Sequence, residues 1–162
     1  MTKSLNKKGS MLVFLFAITY MVSYITRINY DAIISEMVRD TGYTKDVLSL
    51  SLTGMFITYG SGQIISGLLA DRISPKKLVT IGLLLSVLMN IAVPLCGSPY
   101  LMLVCWCLNG FAQAFMWPPL VRIMVSVFNE EEYKHAVVTA SYGSSLGTVL
   151  IYLLSPLVIS LL

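Results

Sequence analysis

LVTIGLLLSVLMNIAVPLCGSPYLMLVCWCLNGFAQAFMWPPLV, residues 78–121, is 44 consecutive positions without Asp, Glu, Lys or Arg. About 20 apolar residues carry a helix across a bilayer core, so this stretch is too long for one crossing and right for two joined by a turn. Pro94-Leu95-Cys96-Gly97-Ser98-Pro99 in its middle supplies the reversal. Three more charge-free runs flank it: Gly9–Thr26 with 18 residues, Val47–Ala70 with 24 and Ala136–Leu162 with 27. Apolar residues make up 56% of the 162-residue chain and charged residues 12%, about half the share usual in soluble domains. A soluble enzyme, a secreted disulfide scaffold and a disordered tail are thereby excluded.

Polar backbone groups in hydrocarbon must be satisfied within their own segment, so the runs are read as helices. The expected fold is all-α and multi-pass, with five spans near Met11–Val38, Asp46–Ala70, Pro75–Leu95, Tyr100–Phe128 and Lys134–Leu162. Ser74-Pro75 has the form of an N-cap followed by a first-turn proline. Trp117-Pro118-Pro119 should kink the fourth helix by removing two backbone donors. The start, Met1–Ser10, carries Lys3, Lys7 and Lys8 but no small-residue cleavage site follows, which favours an uncleaved first helix over a signal peptide.

A cytoplasmic N-terminus places Lys3, Lys7, Lys8, Arg72, Lys76, Lys77 and Lys134 inside and only Arg39 and Lys45 outside. Seven against two favours that orientation in a cell membrane. The fifth span ends at Leu162 without a polar tail, so the chain is expected to be a fragment. The net charge of +3 is too weak and scattered for nucleic acid. Three cysteines, an odd number, give no disulfide framework, and Cys105-Trp106-Cys107 lacks metal-ligand spacing. With His135 the single histidine, no metal and no cofactor are expected.

Arg27 is the most informative residue, because an intramembrane arginine is costly and usually faces a bundle interior or a water-filled cavity. Helical spacing puts Tyr20, Tyr24, Arg27 and Asp31 on one face. A guanidinium fork above two phenols can hold a carboxylate or phosphate bidentately. The alternative is an Arg27–Asp31 pair at i, i+4, with the arginine snorkelling to the interface. The ligand reading is preferred, and both remain open at this point.

Small and hydroxyl residues crowd the second helix, where packing is the default role. Gln63 and Tyr59, four apart, can instead face a cavity. Asn109, Gln113 and Trp117 form one stripe on the fourth helix and join the candidate binding set, with packing as an equal alternative. Gly143-Ser-Ser-Leu-Gly147 reads as a helix-contact motif. Asp71 and Arg122, near two cytoplasmic helix ends, are candidates for a structural or gating pair. No nucleophile–base arrangement or phosphate-cradling loop stands out, so an enzyme is not indicated.

Gly67-Leu-Leu-Ala-Asp71-Arg72-Ile-Ser-Pro75-Lys76 resembles the loop signature of the major facilitator superfamily. Ser74-Pro75 stands where the signature's later glycine would be, a variant similar to the organophosphate:phosphate antiporter branch. Three stretches resemble the same branch: Tyr20-x-x-x-Tyr24-x-x-Arg27-x-Asn29, Gly54-x-x-x-x-Tyr59-Gly60, and Trp117-Pro118-Pro119-x-x-Arg122-x-Met124-Val125. The resemblance implies a twelve-helix carrier in two halves, with the arginine gripping an anionic substrate. This chain would then be part of the amino-terminal half, with the lipid bilayer, a small anionic solute and a missing carboxy-terminal half as its partners. Arg27, Tyr20, Tyr24, Gln63, Asn109, Gln113 and Trp117 would bind substrate, and Asp71, Arg72 and Arg122 would steady the cytoplasmic gate. The implied activity is alternating-access transport of a sugar phosphate, sugar acid or other carboxylate. A membrane sensor that binds a similar anion without moving it is the alternative.

The chain departs from the branch at three positions. Gln63 stands where a lysine is usual, Ile28 where one antiporter of the branch has a lysine, and Ser144 and Ser145 near its fifth-helix histidine. With fewer positive groups, a monoanion fits at least as well as a phosphate ester.

Overall fold

The computed structural model describes residues 7–161, and these form seven α-helices without a strand. In chain order they are α1 (Lys7–Ala32), α2 (Ile34–Thr41), α3 (Lys45–Ala70), α4 (Pro75–Ala92), α5 (Pro99–Gln113), α6 (Trp117–Val127) and α7 (Glu130–Ser160), with a 3-10 turn at Val93–Leu95 after α4. Lys3 and Leu162, which figured in the orientation count and in the last span, lie outside the described residues.

Four segments are long and apolar enough to cross a membrane: Lys7–Ala32, Pro75–Leu95, Pro99–Val127 and Glu130–Ser160. α3 is as long as α1, at 26 residues, but is not among them. Its glycines, hydroxyl residues and Gln63 dilute its apolar character, so apolarity alone does not reproduce the expected count of five.

Three boundaries differ from expectation for local reasons. The first span is not one helix to Val38, because the backbone at Ile33 opens to φ −115°, ψ 10° and separates α1 from α2. Gly42, at φ 72°, then ends α2 in a left-handed cap that a side chain would strain. The fourth span divides into α5 and α6 just before Pro118 and Pro119. Neither proline can donate four residues back, to Ala114 or Phe115. The chain tightens there into i→i−3 bonds, Phe115 N to Ala112 O at 3.1 Å and Met116 N to Gln113 O at 3.1 Å. The fifth helix starts at Glu130 rather than Lys134, because Asn129 and Glu132 form a reciprocal capping box. Ser74 holds the expected N-cap position before Pro75, but its hydroxyl makes no capping bond.

Two helix pairs organise the packing, α1 along α7 and α3 along α5. Glycines permit both. A Cβ on Gly143 would collide with the Ala17 carbonyl, and one on Gly147 would lie 2.5 Å from the Met21 carbonyl, so the motif is a helix contact. A Cβ on Gly110 would likewise strike the Met55 carbonyl. Where α3 and α5 approach, Thr58 Oγ1 donates to the Cys107 carbonyl at 2.7 Å. The buried apolar side chains fall into two clusters. One gathers Phe16, Tyr20, Leu78, Met116 and Met124, and the other Tyr30, Leu48, Met55, Val93 and Trp106. Large apolar side chains such as Phe14, Ile64, Leu84 and Leu153 point outward, the surface expected of helices bathed in lipid.

Candidate functional site

Arg27 projects from α1 toward α3 and is half-buried. Its guanidinium carbon lies 3.9 Å from the Tyr59 ring centroid, 5.3 Å from Tyr24 and 5.8 Å from Phe56. Among the described residues no carboxylate pairs with it. Asp31, the alternative partner, is exposed and instead accepts a hydrogen bond from the Tyr152 hydroxyl of α7. A cation facing aromatic rings gains about 0.5–2 kcal/mol, without using up the N–H fork that binds an oxyanion.

The tyrosines are held in turn. Gln63 Nε2 donates to the Tyr59 hydroxyl at 2.7 Å, one turn along α3. Tyr20 is buried between Tyr24, 5.0 Å away edge to face, and Trp117, 4.8 Å away at a tilt of 34°. α1, α3 and α6 thus bring Tyr20, Tyr24, Arg27, Gln63 and Trp117 into one aromatic group, with Tyr59 and Phe56 added. Trp117 joins it as the first residue of α6, directly after the break.

Asn109 and Gln113 are directed elsewhere. Both are buried and spend their amides in a polar network between α1, α4 and α5. Gln113 accepts from Ser23 Oγ at 2.7 Å and donates to Ser86 Oγ at 2.8 Å and Thr26 Oγ1 at 3.0 Å. Asn109 accepts from Ser86 at 2.6 Å and donates to the Thr26 carbonyl at 3.2 Å. Asn90 donates to the same carbonyl at 2.9 Å and accepts from Asn29. For these two amides the packing alternative describes the geometry. The network grips the Ser23–Thr26–Asn29 side of α1, and at about 100° per residue Tyr20, Tyr24 and Arg27 centre roughly 130° further round the helix.

At the far end of α3, Asp71 Oδ1 meets Arg122 Nη2 of α6 at 3.0 Å. Both side chains are more than half exposed, so the pair contributes about 0–1 kcal/mol. With Arg72, Ser74 and Lys76 they line a cleft of about 610 Å³.

Sequence reasoning missed Phe56 and the partners Ser23, Thr26, Ser86 and Asn90. A signal was present: polar residues three or four apart on charge-free helices (Ser23/Thr26, Ser86/Asn90, Asn109/Gln113) must satisfy one another in an apolar surrounding. Nothing in the sequence points from Asp31 to Tyr152.

A family model described as Major Facilitator Superfamily matches residues 16–162. The chain is 28% identical over 113 residues to a probable hexose phosphate transport protein of Chlamydia trachomatis, covering 70% of this chain and 25% of that protein. It is 32% identical over 119 residues to a glycerol-3-phosphate transporter of Bacillus subtilis, covering 71% and 27%. It is also 27% identical over 113 residues to a membrane sensor protein, UhpC, of Escherichia coli, covering 70% and 26%. The chain therefore spans about a quarter of the length of these relatives, which are transport and sensor proteins rather than enzymes. No solved structure gives a significant match.

Proposed function

The chain belongs to the major facilitator superfamily, and from that premise we propose that it supplies the anion-anchoring helices of a transporter for a small organic anion, a sugar phosphate, sugar acid or other carboxylate. The observation that carries this reading is the Arg27 guanidinium, set among Tyr24, Phe56 and Tyr59 without a carboxylate partner among the described residues. Arg27 takes the oxyanion, Tyr24 and Trp117 line its approach, and Tyr20 and Gln63 hold the aromatic group in shape. Asn109 and Gln113 contribute by fixing the rotation of α1 rather than by touching solute. Asp71, Arg72 and Arg122 steady the cytoplasmic ends of α3 and α6. α3 makes the fifth crossing, shielded by α5, and the N-terminus is cytoplasmic. Solute moves when this half rocks against a second helix half.

The names of the relatives support a phosphorylated solute, and the replacement of a lysine by Gln63 supports a singly charged one. In a transport-competent protein carrying this chain, Arg27→Lys keeps the charge and removes the fork. Loss of one charge-assisted hydrogen bond, about 1.5–3 kcal/mol, weakens substrate binding roughly ten- to hundredfold. Transport and affinity at wild-type levels would refute the role of Arg27.

One relative is named a membrane sensor, which supports a second reading in which the same site binds an anion without moving it. Saturable anion binding with no flux in the same protein selects the sensor, and flux selects the carrier.

A further inference from the structure

Cys96 and Cys105, which the odd cysteine count gave no reason to pair, are brought together at the α4–α5 connection. Cys96 follows the 3-10 turn, and Cys105 sits in the second turn of α5. Their sulfurs are 3.7 Å apart and both residues are half-buried. They pack on the cluster that contains Val93, Met102 and Trp106. Cys107 is turned about 200° further around the helix and faces α3, where its sulfur lies 2.6 Å from the position of a Cβ on Gly54. The geometry therefore selects one pair out of three thiols.

A disulfide requires sulfurs at about 2.05 Å with Cβ atoms roughly 3.5–4.5 Å apart, so side-chain rotation with a small backbone shift closes this pair. Cys96 has that freedom. It lies between the 3-10 turn and α5 in extended backbone, φ −76° and ψ 119°, and is followed by the exposed Gly97. We propose that Cys96 and Cys105 form a redox site that closes to an intramolecular disulfide by exchange with a disulfide oxidant such as oxidised glutathione.

The exchange balances in two steps. The Cys96 thiol gives up its proton and attacks one sulfur of the oxidant RSSR. The oxidant's S–S bond breaks, and the first RSH leaves carrying that proton. The Cys105 thiol then attacks the Cys96 sulfur of the mixed disulfide, and the second RSH leaves with the Cys105 proton. The protein loses two electrons and two protons, and RSSR is reduced to two RSH. The closed form ties the α4–α5 connection to the second turn of α5. It does not depend on which solute the chain handles.

The test is to incubate the purified 162-residue chain in lipid nanodiscs with oxidised glutathione, block remaining thiols with an alkylating reagent, and read intact mass and peptides. The expected result is loss of two of the three free thiols, a mass lower by two hydrogens before alkylation, and the alkyl group on Cys107 alone. Cys107→Ser should close as fully as the parent chain, and Cys105→Ser should stop at a glutathione adduct on Cys96. Three alkylated cysteines, a lasting adduct on Cys96 in the parent chain, or a disulfide that includes Cys107 would each overturn the proposal.

Discussion

Tyr59 supplies two things to Arg27, a ring 3.9 Å from the guanidinium and a hydroxyl that Gln63 holds at 2.7 Å. These separate by substitution. Tyr59→Phe keeps the ring and removes only the tether, whereas Tyr59→Ala removes the face itself, worth about 0.5–2 kcal/mol. Solute affinity in a transport-competent protein carrying the chain should fall a few-fold to about thirtyfold in Tyr59→Ala, and less in Tyr59→Phe. Equal affinities in the two variants would show that the ring does not support the cation. Arg27 was legible in the sequence because a charge beside an 18-residue apolar run has to be accounted for. Its neighbours Tyr20 and Tyr24 followed from helical spacing alone. Phe56 and the Tyr152 contact to Asp31 were not legible, because each depends on how separate helices lie against one another. A single sequence carries no term for that.

Local chemistry sets where the helices begin and end, and it was read unevenly. The proline pair at 118–119 announced a disturbance, and the structure puts it one turn earlier, where the missing donors leave carbonyls unpaired. The capping box at Asn129 and Glu132 falls in the stretch left between the expected fourth and fifth spans, although Glu130, Glu131 and Glu132 are acidic residues of the kind that favour a helix N-terminus. Asn129→Ala removes the side chain that accepts the Glu132 N–H at 3.0 Å and should cost about 1 kcal/mol. A lower midpoint in denaturant, with helicity lost from the start of α7, is the expected outcome. An unchanged midpoint would mean that lipid and packing alone hold that turn. The amides of Asn109 and Gln113 show the limit of spacing arguments in the other direction. A polar stripe on an apolar helix can face solute or another helix, and here Ser23, Thr26 and Ser86 answer it.

Across the described residues, two close helix pairs leave α1 clamped by polar contacts along Ser23, Thr26 and Asn29 and offering Arg27 about 100° round the helix from Thr26. The charge-free runs made the helical, multi-pass character legible, while the α1–α7 and α3–α5 pairing became visible only in three dimensions. Gly143, Gly147 and Gly110 mark those pairings, but small residues do not say which neighbour they admit. The account rests on a guanidinium that water and solutes can reach while lipid cannot. Replacing the native cysteines by serine and introducing Arg27→Cys in a transport-competent, nanodisc-embedded protein carrying this chain allows a direct measurement. The rates of labelling by a charged, membrane-impermeant thiol reagent and by a lipophilic maleimide are compared at that position. The account predicts fast reaction with the charged reagent, whereas reaction with the lipophilic reagent alone would contradict it.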